Sequence, residues 1–144
     1  MTASLGAQFA DYAAYHTTRG NRACHSIGIP LIVFAVVALS GRLQLGSISG
    51  IPITLAEALI VLATLFYWRL DAALALMMLV VLAIFDVAGR PTPPVISSGL
   101  FLVGWIFQFA GHMVYEKKSP AFFRNAAHLL VGPLWILAKA TGRG

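Results

Sequence analysis

Four histidines are the side chains of this sequence best suited to chemistry: His16, His25, His112 and His128. An imidazole can bind Fe, Zn, Cu or Ni while neutral, which matters in surroundings of low dielectric constant. The chain has one cysteine and five acidic residues, so a histidine set favours a redox-active or Lewis-acid metal over Mg or Ca. We therefore treat the four histidines as candidate metal ligands.

Further polar residues accompany these histidines. Glu116 follows His112 by four residues and Gln108 precedes it by four, which places the three side chains on one face of a helix. Glu116 could be a ligand, a hydrogen-bond partner of an imidazole N–H, or a base. Asn21, between the first two histidines, either caps a helix or hydrogen-bonds within the site. A second interpretation stays open, in which the histidines are interfacial polar residues at helix ends.

The composition indicates which elements must position these residues. Of the 144 residues, 59% are hydrophobic and 10% are charged, whereas about 25% of an ordinary soluble domain is charged. The mean hydropathy is +0.83. These values exclude a disordered chain, a coiled coil and a typical soluble enzyme, and they favour one integral membrane domain over residues 1–144. We expect the net charge of +5 to set topology and contact lipid headgroups, without a nucleic-acid partner.

Four apolar blocks predict an all-α membrane bundle of four spans, because a span needs about 20 apolar residues. A loop rich in Gly and Ser (41–52) separates the first two blocks, and a tight turn at Arg69 and Asp71 follows the second. The proline-rich segment 89–94 cannot be helical and predicts a loop before the last block. The blocks cover residues 27–39, 53–68, 72–88 and 95–114.

Shorter helices are predicted at both ends of the bundle. Residues 3–15 have apolar side chains at helical spacing and predict an amphipathic helix at the membrane interface. Asn21 is a suitable cap for the first span. Ser119 and Pro120 are typical of a helix start, and the apolar run 126–138 that follows is interrupted by Gly132-Pro133. That run predicts a short or broken helix.

The basic residues are unevenly distributed between the two sides of such a bundle. If the four blocks span the membrane, six basic residues fall on the N-terminal side and Arg42 and Arg90 fall on the other. The positive-inside rule then predicts a cytoplasmic N-terminus, and all four histidines lie near that same side. The six residues are Arg19, Arg22, Arg69, Lys117, Lys118 and Arg124.

Two motifs contain three of the four histidines. The first comprises Tyr15-His16, Asn21 and His25-Ser-Ile-Gly-Ile-Pro-Leu31. The second comprises Gln108-Phe-Ala-Gly-His112, followed by Glu116-Lys117 and Pro120-Ala121. These motifs resemble the signatures of the Mpo1-like family, and Gly132-Pro133-Leu134 fits its C-terminal portion. The resemblance covers nearly the whole chain in the same order.

The resemblance implies a membrane-embedded, Fe(II)-dependent dioxygenase of fatty acid α-oxidation. Its substrates are O₂ and a 2-hydroxy fatty acid, which becomes a fatty acid one carbon shorter. It implies the endoplasmic reticulum for a eukaryotic member, and we expect the inner membrane for a bacterial one. The implied iron ligands are His16, His25 and His112, and His128 is a fourth candidate. The remaining candidates are Glu116 and Asn21 for catalysis, and Arg19, Arg22 and Lys117, with Lys118 and Arg124, for the substrate carboxylate.

Two other functions stay open at this point. A non-catalytic membrane protein could use the same histidines to bind Zn structurally. A small transporter could use Glu57 or Asp86 as its coupling acid, because an ionisable residue within a span is a functional candidate. Both acids lie near span ends, where solvation is the simpler explanation, and the polar side chains gather at one side of the bundle instead of crossing it.

Overall fold

A computed structural model describes residues 3–118 and 126–143. Within these residues the chain is helical, as the sequence predicts, but it also contains one short hairpin that the sequence did not predict. Helix α5 continues into a π-helical segment, Gly111–Glu116, and the hairpin comprises β1 (Gln44–Ile48) and β2 (Ile51–Thr54). The α-helices are α1 (Ala3–Ala14), α2 (Arg19–Ser40), α3 (Leu55–Leu70), α4 (Ala72–Gly89), α5 (Pro94–Ala110) and α6 (His128–Ala140).

Three helices of the described chain are long and apolar enough to cross a membrane. They are α2 with 22 residues, α4 with 18, and α5 together with its π-helical segment, with 23. Helix α3 has 16 residues, about 24 Å of helix against a hydrocarbon core of about 30 Å. A fourth span therefore stays a prediction.

The helices at the two ends of the chain, α1 and α6, pack together. In α1, Leu5 and Phe9 are buried in the same apolar cluster as Trp135 of α6, and the predicted position of α1 at the membrane interface stays a prediction. Helix α6 is short, as predicted, and continues through Pro133 without a break. The helix start predicted at Ser119–Pro120 and the candidate Arg124 lie outside the described residues.

Two local predictions are wrong. Helix α2 begins at Arg19, two residues before Asn21, because the Thr18 side chain caps it by accepting a hydrogen bond from the Asn21 N–H at 3.2 Å. The segment 41–52, expected to be a loop, contains most of the hairpin. Its two-residue turn has positive φ at both Ser49 (51°) and Gly50 (79°), and such a turn matches the twist of paired strands.

Helices α2 and α5 pack closely through glycines. A Cβ on Gly28 would lie 2.7 Å from the Gly104 carbonyl oxygen, and a Cβ on Gly104 would lie 2.8 Å from that of Gly28. Small residues at such crossings let two backbones approach within direct contact, a common device in membrane bundles. The crossing positions the C-terminal end of α5 beside the N-terminal part of α2.

Arg90 organises the opposite end of the bundle. Its guanidinium contacts Glu57 at 2.8 Å and Asp86 at 2.7 Å, and the guanidinium of Arg42 donates to the Arg90 carbonyl at 3.1 Å. Glu57 also completes a capping box with Thr54 at the start of α3. These contacts give both acids a structural role.

Candidate metal centre

Three histidines from three separate elements converge at one end of the bundle. His16 follows α1, His25 lies in the second turn of α2, and His112 lies in the π-helical segment. Each is 2% exposed. One ligand atom from each ring lies within 4.8 Å of the others, and the ring centroids are 4.3, 4.7 and 5.0 Å apart. The three histidines are therefore near enough to one another to bind a metal ion.

Backbone carbonyls fix the orientation of two of these rings. His16 Nδ1 lies 2.7 Å from the Tyr12 carbonyl oxygen, and His25 Nδ1 lies 3.0 Å from that of Asn21. A carbonyl only accepts, so each Nδ1 carries the proton and each Nε2 keeps a free lone pair. Metal-binding histidines typically donate their second N–H to a carbonyl or carboxylate in this way. The donor set therefore fits a metal.

Unpartnered ring nitrogens point to the same conclusion. His16 Nε2 and His112 Nδ1 are buried without a hydrogen-bond partner among the described residues. A buried polar atom left without a partner is unfavourable. Burial lowers the pKa of His16 to about 4, so this imidazole is neutral at pH 7 and can bind a cation. A metal ion would satisfy these nitrogens.

A glycine permits the close approach of the π-helical segment to α2. A Cβ on Gly111 would lie 2.5 Å from Asn21 Oδ1 and 3.2 Å from His25 Nδ1. A larger residue at this position would force Asn21 or the π-helical segment to shift. π-Helical turns are rare and occur frequently at functional sites. This one ends at Glu116, and the next residue, Lys117, has a φ of +54°.

Glu116 joins the π-helical segment to the turn between α1 and α2. Its carboxylate accepts hydrogen bonds from the Thr17 N–H at 3.0 Å, the Thr18 N–H and hydroxyl at 3.1 and 3.0 Å, and Asn21 Nδ2 at 3.0 Å. The Thr17 hydroxyl also donates to it. Five donors favour the ionised carboxylate. Glu116 thus holds the segment that carries His112 against the turn that carries His16.

Asn21 connects this carboxylate to the second histidine. Its side-chain amide is fully buried and donates to Glu116 and to the Tyr15 backbone carbonyl, each at 3.0 Å. The backbone carbonyl of Asn21 accepts a hydrogen bond from His25 Nδ1. Of the two roles considered for Asn21, hydrogen bonding within the site is the one that the structure supports. The catalytic roles suggested for Asn21 and Glu116 stay predictions.

His128 lies beside the three-histidine group without belonging to it. Its Nε2 contacts Asp11 Oδ2 at 2.7 Å, and its ring lies 5.5 Å from the Tyr12 ring. Its Nδ1 is buried without a partner among the described residues. The assignment of His128 as a metal ligand stays a prediction.

The basic candidates lie at the same end of the bundle but outside the site. Arg19, Arg22 and Lys117 are exposed, and Arg22 donates to the Thr17 carbonyl at 3.1 Å. They flank the turn and the segment that carry the histidines. Their assignment to the substrate carboxylate stays a prediction.

A cavity of about 60 Å³ contains the four histidines in its lining, and this volume admits a few water-sized groups. Gln108 also lines it, and its Nε2 is buried without a partner among the described residues.

Two aromatic residues that line this cavity, Tyr12 and Trp105, were not predicted from the sequence as part of the site. Aromatic residues in apolar helices usually contribute to packing, so their type alone does not indicate a site. The Thr17-Thr18 pair was not predicted either. Two hydroxyl side chains directly after His16 could have indicated hydrogen-bond donors near the site.

Comparison with known proteins gives two matches and no solved structure. A family model described as "2-hydroxy-palmitic acid dioxygenase Mpo1-like" matches residues 2–144. The chain is also 33% identical over 138 residues to the protein named 2-hydroxy-palmitic acid dioxygenase MPO1 from Saccharomyces cerevisiae (strain ATCC 204508 / S288c), a match that covers 92% of this chain and 77% of the yeast protein. No solved structure matches.

Proposed function

The chain belongs to the Mpo1-like family, and from this membership and its three-histidine cluster we propose that it is an Fe(II)-dependent dioxygenase. In the proposed reaction a 2-hydroxy fatty acid and O₂ give a fatty acid one carbon shorter, and the balance of atoms releases the carboxyl carbon as CO₂ together with one H₂O. The observation that carries the proposal is the set of three buried imidazoles whose ligand atoms lie within 4.8 Å of one another. The name of the yeast relative supplies the substrate class and the type of enzyme.

The nitrogens that would hold the metal follow from the hydrogen bonds. His16 and His25 donate from Nδ1 to carbonyls, which leaves Nε2 of each for the ion, and His112 would supply the third nitrogen. Fe(II), when bound, would supply the redox chemistry between O₂ and the substrate. Three neutral ligands leave further positions open, and a 2-hydroxy acid offers a hydroxyl and a carboxylate oxygen to such a site.

Other side chains of the cavity would bind and orient the polar head of the substrate. The Gln108 amide is a donor without a partner in the described chain and suits a carboxylate oxygen. His128, held by Asp11, presents Nδ1 as an acceptor for the 2-hydroxyl proton. Arg19, Arg22 and Lys117 at the rim would attract the anionic head. Glu116 and Asn21 act by positioning the segments that carry the histidines.

The proposed location is an integral membrane site with the histidines at the cytoplasmic face. Three apolar helices support a membrane protein, and the excess of basic residues on the histidine side supports the orientation. The membrane would be the inner membrane in a bacterium or the endoplasmic reticulum in a eukaryote. A membrane site allows an acyl chain to stay in apolar surroundings while its head reaches the histidines.

Oxygen consumption by the purified protein tests this function. The protein is loaded with Fe(II) without oxygen in detergent, and then mixed with O₂ and 2-hydroxy-palmitic acid. We expect uptake of O₂ and formation of a fatty acid with one carbon fewer, and no uptake with palmitic acid, which lacks the hydroxyl. Absence of turnover by the iron-loaded protein would contradict the proposal.

A structural zinc site is the competing function, because three buried imidazoles suit Zn equally well. Zinc retained through purification, together with no O₂ uptake after replacement by Fe(II), would favour that alternative. The transporter alternative gains nothing from the structure, since Glu57 and Asp86 both pair with Arg90 at the opposite end of the bundle.

A further inference from the structure

A second cavity adjoins the histidine cavity. It has a volume of about 480 Å³, within the usual range of ligand pockets, and no charged side chain of the described chain lines it. We call it the apolar groove. The two cavities are adjacent, since five residues line both of them: Ile32, Val33, Trp105, Leu129 and Pro133.

The apolar groove runs along α2, away from the histidines. Its wall on α2 extends from Ile32 to Val37, whereas His25 lies at the histidine end. At 1.5 Å per residue, Val37 lies about 18 Å beyond His25 along the helix axis. An extended hydrocarbon chain advances about 1.25 Å per carbon, as follows from single C–C bonds of about 1.52 Å. The distance from His25 to the far end of the groove therefore matches a chain of about 14 carbons.

The groove also opens sideways. Leu62 of α3 is 63% exposed and Leu129 of α6 is 51% exposed, and both line it. Deeper in the wall, the buried Tyr67 hydroxyl donates to the Leu130 carbonyl at 2.9 Å and ties α3 to α6. The opening faces the apolar outer surface of the bundle, so a chain can enter from lipid without crossing water.

We infer that the apolar groove holds the hydrocarbon chain of the 2-hydroxy fatty acid, which enters sideways from the bilayer, and that Val36 and Val37 limit the chain length. This inference rests on the proposed function for the identity of the head group. An aliphatic chain needs a long, uncharged channel, and a carboxylate needs the histidine end. The two adjacent cavities supply both requirements: the histidine cavity suits the head group and the apolar groove suits the chain.

Selection by chain length must arise from steric exclusion. A chain that moves from lipid into an apolar groove gains little hydrophobic free energy, because lipid tails are equally apolar. Overfilling a packed apolar site costs about 1–3 kcal/mol, which corresponds to about 5-fold to 150-fold in specificity. Narrowing the far end should therefore discriminate against long chains.

The first experiment compares V36F with V80F. Val36 lines the far part of the groove, whereas Val80 of α4 is 59% exposed and does not line it. We measure kcat/KM for 2-hydroxy-palmitic and 2-hydroxy-octanoic acid. The long-to-short ratio should fall at least about 5-fold in V36F and stay unchanged in V80F. An equal ratio in V36F, V80F and wild type would overturn the inference.

The second experiment measures chain binding on metal-free protein. With Trp68 and Trp135 replaced by Phe, the fluorescence of Trp105, which lines both cavities, reports on the groove. A brominated fatty acid should quench it saturably, and 2-hydroxy-palmitic acid should reverse the quenching. Quenching that rises without saturation and is not reversed would show bulk lipid contact and overturn the inference.

The two experiments also separate this inference from the proposed function. Saturable, reversible quenching without O₂ uptake by the iron-loaded protein would support the groove and contradict the dioxygenase. O₂ uptake with an unchanged chain-length profile and unsaturable quenching would support the dioxygenase and overturn the groove.

Discussion

Replacing Glu116 by Gln tests whether this carboxylate assembles the site. One of its oxygens accepts from the Thr18 N–H and from Asn21 Nδ2, which are both donors only. In E116Q one carboxylate oxygen becomes an amide NH₂. If the NH₂ occupies the position of the oxygen that accepts from Thr18 and Asn21, these two donors face a third donor and lose their acceptor. Two charge-assisted hydrogen bonds to a buried carboxylate contribute about 1.5–3 kcal/mol each, so the free energy of unfolding should fall by about 3–6 kcal/mol.

The same change should weaken metal binding. Glu116 holds Asn21, whose carbonyl orients the His25 ring, and loss of a partner that orients a ligand typically lowers metal affinity 10-fold to 100-fold. We expect a loss near the lower figure, since Glu116 acts through Asn21. Denaturant titration in mixed micelles measures stability, and an anaerobic Fe(II) titration measures affinity.

E57Q is the matched control. Glu57 also accepts hydrogen bonds, from the Thr54 N–H and hydroxyl and from the Arg90 guanidinium, but it lies at the opposite end of the bundle and is more exposed. We expect E57Q to lower stability by a smaller amount and to leave Fe(II) affinity unchanged. If E116Q and E57Q had equal effects on both quantities, the positioning role of Glu116 would be refuted.

Two further substitutions probe the packing and the ligand set. G111A should lower the free energy of unfolding by about 1–3 kcal/mol and weaken Fe(II) binding, because the new Cβ would lie 2.5 Å from Asn21 Oδ1. G99A is the control: a Cβ there has no atom within 4 Å, so the change should be neutral or slightly stabilising. Identical thermal unfolding of the two variants would contradict this reasoning. H128A should retain bound iron after desalting, because His128 lies outside the group of three. A loss as complete as that in H25A would instead make His128 a ligand.

Much of the helical framework could be predicted from the sequence, because local composition decides it. Apolar blocks bounded by Gly, Pro and charged residues predict helices close to α3, α4 and α5. The hairpin was not predicted, although Ser49-Gly50 is a suitable turn. All side chains of β1 are exposed, so the segment lacks the half-buried alternation that marks a strand.

The site could be predicted in its residues but not in its connections. Helical spacing placed Gln108 and His112 on one face, and both line the histidine cavity. The role of Asn21 depends on Glu116, 95 residues away, and the partner of His128 is 117 residues away. Contacts between residues so distant in the chain depend on packing, which no local pattern encodes.

The iron content of the reconstituted protein tests the central claim most directly. Wild type and the variants H16A, H25A and H112A are loaded with Fe(II) without oxygen, desalted and analysed for iron per chain, with elution volume in detergent as the control for folding. The three-histidine site predicts about one iron per wild-type chain and a strong loss in each variant. Wild-type protein without iron, or variants that elute normally and retain it fully, would contradict the account.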